Sequence, residues 1–418
     1  MHTAPHAVER ALPQRLVGQD KRELLTDLLV AKQRRCFPAL EQKKYFNYGA
    51  QGPLPAVARE AILRFYQELD TAAPMSVAAQ VAAADELHRC RAAIVSEFAA
   101  GEPERLALLD NTSTGCNVVL WGLRWGNGDR ILLGDHEYPG VVAAVHECAR
   151  RHGLKVDLLA TDLDPARLLD QLAGQLLPDT RLVVVSHVLW DTGRVLPIAE
   201  IAGLCRGQDR ARLLVDGAQA AGAMPLSLAA LGADYYAFPG HKWCCGPEGV
   251  GALYVAPEAF EDLDPTFIGP RSLLYDPATG APAGFRRDAR RFETSTSPVA
   301  LFAGLRAALE LHGRWGDREA RWRRIRSLGD LLWQRLGELP PALFERLQTD
   351  RPEAGLVFFR LRGREQEQGS LVRFLEGRGI LIRTMPHLRC LRASVHYLTL
   401  ASDVEALLDG LGGFPTNP

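Results

Sequence analysis

Short apolar runs recur through the first two-thirds of the chain: RLALLD (105–110), RILLGD (130–135), RLVVVSH (181–187), RLLVDGA (212–218), DYYAF (234–238) and VGALYV (250–255). Each has the length of a buried strand, and helical spacing fills the gaps between them. In GVVAAVHECARR, for example, Val141, Val142, Val145, Cys148 and Ala149 share one helix face and leave Glu147, Arg150 and Arg151 to water. Such alternation predicts an α/β domain with a mostly parallel sheet flanked by helices. Beyond Arg291 the rhythm changes to long helical stretches, such as residues 300–312, followed by a few strands, GLVFFRL (355–361) and ILIRT (380–384). That pattern predicts a smaller α+β C-terminal domain. The expected division is an N-terminal segment over 1–45, helical and polar in pattern and packing on the small domain, a large domain over 46–295, and the small domain over 296–418. Residues 264–288, rich in Pro and Gly, make a connection longer than most, either an active-site loop or plain surface.

Composition narrows the partners. At 418 residues the chain can build more than one core. Its 49 Lys and Arg balance 50 Asp and Glu for a net charge of -1, so nothing draws it to nucleic acid or an anionic membrane, and a small polar substrate fits better. The basic stretch at 313–330, with Arg318, Arg321, Arg324 and Trp322, reads as a solvated helix face with its aromatics packed inward. Eight cysteines show neither CxxC pairs nor zinc spacing, so reduced, packed thiols and no metal site are expected. The first residues lack a secretory apolar block and no run approaches the roughly 20 residues of a membrane span, which predicts a cytoplasmic protein.

In parallel α/β sheets, ligands gather at the carboxyl ends of the strands. RLALLD leads into Asn111, Thr112, Ser113, Thr114 and Gly115 ahead of a helical run, which suits either an anion site or a plain N-cap. RILLGD ends at Asp135, followed by His136, a cofactor contact or an ordinary packed side chain. Asp216 ends RLLVD, where burial costs free energy unless a cation or donors meet it, capping of the next helix being the alternative. Lys242 comes 26 residues later, between DYYAF and a glycine-rich turn, close enough for the next strand end to return it to Asp216. A lysine in such a cleft loses its proton readily and can form a Schiff base. An anion cradle, a ring stacker, a carboxylate and a lysine are what pyridoxal 5'-phosphate requires.

The motifs TSTG (112–115), His136, SHVLWDTGRVLP (186–197), DGAQAAG (216–222), GHKW (240–243), RFETST (291–296) and RTMPHLRCLRAS (383–394) resemble the class V aminotransferase group of fold-type I pyridoxal-phosphate enzymes, which includes cysteine desulfurases and related lyases. The likeness spans about residues 45–405. Within the group, DYYAFPGHKW and SHVLWDTG are most similar to L-cysteine/cystine C–S lyases. This resemblance implies that Lys242 anchors the cofactor aldehyde, with Asp216 on the ring nitrogen, Gln219 on the ring hydroxyl and His136 stacked on the ring face. It further assigns Thr112, Ser113, Thr114 and His241 to the phosphate, Asp191 to the cofactor site, and Thr296 to the phosphate of the partner subunit in a homodimer. Arg392 matches the substrate-carboxylate arginine, and Arg383 is a second candidate. The implied reaction is β-elimination of cystine, cysteine or a related S-substituted cysteine to pyruvate, ammonia and a thiol or persulfide. A cysteine desulfurase, a class V aminotransferase or a fold member that binds without turnover are the alternatives. Three departures bear on the choice. Arg383 and Arg392 are too close for the long loop that carries a desulfurase's cysteine, leaving Cys390 as the only thiol nearby; Asp191 stands where relatives often have Asn; and Pro270 stands where a cystine lyase is expected to have an aromatic residue.

Overall fold

The computed structural model describes residues 26–208 and 210–415; most of the segment predicted over 1–45 lies outside them. Seven strands form the large sheet in the order Leu106–Leu109, Gly251–Val255, Tyr235–Pro239, Arg212–Asp216, Thr180–Ser186, Arg130–Gly134 and Lys155–Leu159. Gly251–Val255 runs antiparallel to both neighbours, and the remaining pairings are parallel. All six apolar runs are therefore strands. The seventh, KVDLL, escapes the apolar pattern because it is an edge strand with charged Lys155 and Asp157, and only Leu159 is buried.

Side-chain alternation divides the sheet residues between two cores. Leu132, Val183, Val185, Leu213 and Val215 pack on one face, and Ile131, Leu133, Leu182, Val184 and Leu214 on the other. Both faces are covered by helices, which is why these strands read as unbroken apolar runs. The smaller sheet is antiparallel, ordered Phe344–Arg346, Leu356–Leu361, Cys390–Ser394 and Arg383–Met385. ILIRT splits in two because its halves pair with different partners: Ile380–Leu381 lies parallel to Lys44–Tyr45, whereas Arg383–Met385 joins Cys390–Ser394.

Three further segments bear on these expectations. Helix Val299–Gly313, placed above in the small domain, packs on Ala56–Ala72 and Val77–Phe98, and its Phe302, Leu305 and Leu309 enter the large core. The basic stretch is a solvated face only in part: Arg323 and Arg326 are exposed and Trp322 packs inward, but three arginines turn to protein partners. Arg318 donates to the carbonyls of Glu97 and Leu226, Arg321 to the Glu97 carboxylate, and Arg324 to the carbonyls of Tyr397 and Thr399. The carbonyls that receive Arg318 and Arg324 lie at a helix C-terminus and in loops, where the backbone leaves acceptors open to a guanidinium. Residues 264–288 fold into a hairpin, Leu273–Tyr275 against Pro282–Phe285, that leaves Phe267, Ile268, Tyr275 and Phe285 exposed. The eight cysteines are all free, and among the described residues no helix is long and apolar enough to cross a membrane.

Candidate active site

Sheet register sets the floor of the site. Asp216, the last residue of its strand, lies beside Ser186 on one neighbour and Ala237 on the other. The strand carrying Ala237 runs on to Pro239, turns at Gly240 and delivers His241 and Lys242 over the same end of the sheet. Thr112, Ser113, Asp216, Gln219, His241 and Lys242 line one cavity of about 300 Å³. Six of the residues expected from the sequence thus converge.

Asp216 is 5% exposed and accepts a 2.8 Å hydrogen bond from the Ala218 N–H. Burial pushes its carboxyl above the ordinary range, against the pull of the Lys242 charge and the Ala218 bond. Lys242 shows the mirror effect. Burial pushes its amine down to about 8, Asp216 opposing and Arg392 and Arg383 adding to the depression. An amine in that range exchanges its proton readily near neutrality.

At the other end of the cavity, Asn111 caps helix Thr112–Gly122, its Oδ1 accepting from the Thr114 N–H at 3.0 Å and from the Thr114 hydroxyl at 3.3 Å. Thr114 is therefore engaged in the cap and faces an adjoining cavity of about 590 Å³ that Thr296 also lines. Ser113 and Asn111 border both spaces. The Thr112 hydroxyl and His241 Nδ1 are buried without a partner. Unsatisfied groups of this kind beside a helix N-terminus suit an anion.

His136, expected on the ring face, lies apart from the six expected residues that line the cavity. His136 does not line the cavity; its Nδ1 lies 2.9 Å from Asp191 Oδ2, a hydrogen bond that raises the imidazole pKa, and Asp191 borders a separate cleft at the domain junction with Arg194 and Gln348. Tyr138, two residues on, lines the cavity instead, with Trp190 edge-on to it at 5.7 Å. Glu137 between them is buried and accepts from the Ser186 N–H at 2.5 Å and the Ser186 hydroxyl at 2.7 Å. Its carboxyl is pushed up to about 8 by burial and by the neighbouring Asp216 charge. Tyr138, Trp190 and Glu137 were not singled out in the sequence. The only signal was their place after a strand end, which does not say which of several consecutive polar residues turns inward.

Arg392 comes from the small domain and is 2% exposed. Burial and Arg383 push its guanidinium down to about 10. It donates to the Trp190 carbonyl at 3.1 Å, and its Nε is buried without a partner. Arg383, opposite in register, is exposed. Cys390, two residues before Arg392, is 1% exposed and its thiol is pushed up to about 11 by burial.

Comparison with known proteins matches residues 44–407 to the family described as aminotransferase class-V. A solved structure of the cystine C–S lyase C-DES with its reaction product cysteine persulfide is 41% identical, superposes with a TM-score of 0.86, and is aligned over 91% of this chain and 100% of that one. Isopenicillin N epimerase of Streptomyces clavuligerus is 32% identical over 87% of this chain and 93% of its own length. A cysteine desulfurase of Shigella flexneri is 27% identical over 91% and 97%. The match from 44 to 407 takes in both domains and every residue of the cavity, and this chain therefore belongs to the class-V aminotransferase family.

Proposed function

We propose that the protein is a pyridoxal-phosphate-dependent carbon–sulfur lyase that cleaves cystine, cysteine or a related S-substituted cysteine to pyruvate, ammonia and a thiol or persulfide. The observation that carries this reading is the 41% identity to a cystine C–S lyase across nearly the whole of both chains. The cavity suits the cofactor on its own terms. It joins a helix N-terminus and two unpartnered buried polar groups at one end to a carboxylate and a depressed lysine at the other. Thr112, Ser113 and His241 would hold the phosphate, Asp216 the ring nitrogen, Gln219 the ring oxygen and Lys242 the aldehyde. Tyr138, which lines the cavity, would face the ring in place of His136.

When bound, the cofactor supplies an aldehyde for amine exchange and a ring that accepts the electron pair left at Cα. The protein does the rest. Arg392, with its unpartnered Nε, grips the substrate carboxylate in a planar fork. The Lys242 amine, released beside the substrate, takes the Cα proton. Asp216 keeps a proton on the ring nitrogen, and loss of the Cα proton lets the sulfur leave from Cβ. A homodimer goes with this reading. Exposed Phe267, Ile268, Tyr275 and Phe285 lie on the segment whose Phe267 lines the Thr296 cavity, and a second copy would cover them.

Two measurements follow. Purified protein incubated with cystine is expected to release pyruvate, and Cys390→Ser is expected to leave sulfur release unchanged, because a thiol this buried and this basic is a poor nucleophile. Amino-group transfer to a keto acid without pyruvate would favour an aminotransferase, and loss of sulfur release in Cys390→Ser a desulfurase. Secondly, only the uncharged Lys242 amine attacks an aldehyde. The rate at which apoprotein develops a visible band with pyridoxal phosphate should rise with pH through about 8 and level off above it. A rate independent of pH from 7 to 9 would contradict the depressed amine.

A further inference from the structure

We propose that Trp243 is a positioning residue that fixes which end of the Gln219 amide faces the cavity, so that only a hydrogen-bond acceptor is welcome there. The proposal rests on the cofactor reading above. Indole N–H can only donate, and the Trp243 Nε1 lies 3.0 Å from Gln219 Oε1. A backbone carbonyl can only accept, and Gln219 Nε2 donates to the Gly49 carbonyl at 2.9 Å. Both ends of the amide are thereby oriented by chemistry, and one Nε2 hydrogen remains for whatever occupies the cavity that Gln219 lines. Without the indole, only the Gly49 carbonyl still opposes turning of the amide, and a turned amide would present its oxygen, which repels an anionic ring oxygen.

Trp243 is itself held from several sides. Its ring stacks with those of Tyr48 and His396, at 6.2 and 6.1 Å between centroids. The His396 Nδ1 accepts the Leu398 N–H, which leaves Nε2 to donate to the Trp243 carbonyl at 3.2 Å. Gly222, at φ +89, lets the DGAQAAG turn approach: a Cβ there would stand 2.7 Å from the Trp243 carbonyl carbon. Gly49 is fixed in turn by the Ser394 hydroxyl, two residues beyond Arg392, which accepts its N–H at 3.0 Å. The substrate-side strand and the residue after Lys242 are thus joined through one buried amide.

A double-mutant cycle on the pyridoxal-phosphate-loaded protein tests this, read as the pH midpoint of its visible band rather than as activity. Donation to the ring oxygen favours loss of the chromophore's proton, so weakening it raises the midpoint. Trp243→Phe keeps the ring stack and removes only the N–H; it should raise the midpoint by roughly half a unit to one unit. Gln219→Ala should raise it at least as far, and the double variant should match Gln219→Ala alone. Trp243→Phe titrating like the parent, or a double variant shifted by the sum of the two, overturns the relay. Should Trp243→Phe not fold, Gln219→Glu still tests the donor on which the relay depends: with only acceptors left for the cavity it must raise the midpoint, and an unchanged midpoint overturns the proposal. A parent that develops no band with pyridoxal phosphate overturns the cofactor reading and the relay with it.

Discussion

Lys242→Ala is expected to abolish pyruvate release from cystine, by at least about four orders of magnitude, and to remove the visible band formed with pyridoxal phosphate. Two functions are lost together, because the same amine anchors the aldehyde and afterwards takes the Cα proton. Burial, helped by the charges of Arg392 and Arg383, outweighs the opposing pull of the Asp216 carboxylate, which is why the amine's pKa is depressed rather than raised. Alanine fits the site sterically, so an intact far-ultraviolet spectrum should accompany the loss. Pyruvate release within a hundredfold of the parent would move the chemistry to another residue and end the assignment.

Asp216→Asn should lower pyruvate release by about two to three orders of magnitude. Asparagine keeps the shape, and its oxygen can still accept the Ala218 N–H. What disappears is the negative charge opposite the ring nitrogen, without which the ring is a poorer acceptor of electrons. The same substitution has a second sign that can be worked out. Asp216 raises the Lys242 pKa against burial, so its removal lets the amine fall further, and the midpoint of cofactor uptake should move from about 8 to lower pH. A rate within a few-fold of the parent, or an uptake midpoint that moves upward, would contradict the pairing of these two groups.

Lys242 and Asp216 were legible in the chain because Asp216 closes one apolar strand and Lys242 comes three residues after the end of the next, and strand ends in a parallel sheet share one edge. That His136 lies outside the cavity has a related reason. Its strand stops at Gly134, and the four polar or aromatic residues from Asp135 to Tyr138 turn through different directions before the helix starting at Pro139. Which of them meets the cavity depends on the angle at which the chain leaves the sheet, and no periodicity encodes that angle. Thr114 shows the same local ambiguity, its hydroxyl and N–H being engaged by the Asn111 cap on the side of the adjoining cavity.

Apolar periodicity is a local property, set by which residues water rejects along a strand or a helix. The order of residues alone was therefore enough for the alternation of elements, the mostly parallel sheet and the polar strand ends where chemistry gathers. Distances between elements are not local. Packing of the small domain decided that Arg392 is buried, close enough for its charge to reach Lys242, while Arg383 stays in solvent. It also decided that Glu137 hides under Ser186 and that an indole and a glycine carbonyl orient Gln219. Each of those outcomes rests on a pairing between residues far apart in the chain, where desolvation and hydrogen-bond direction select one arrangement.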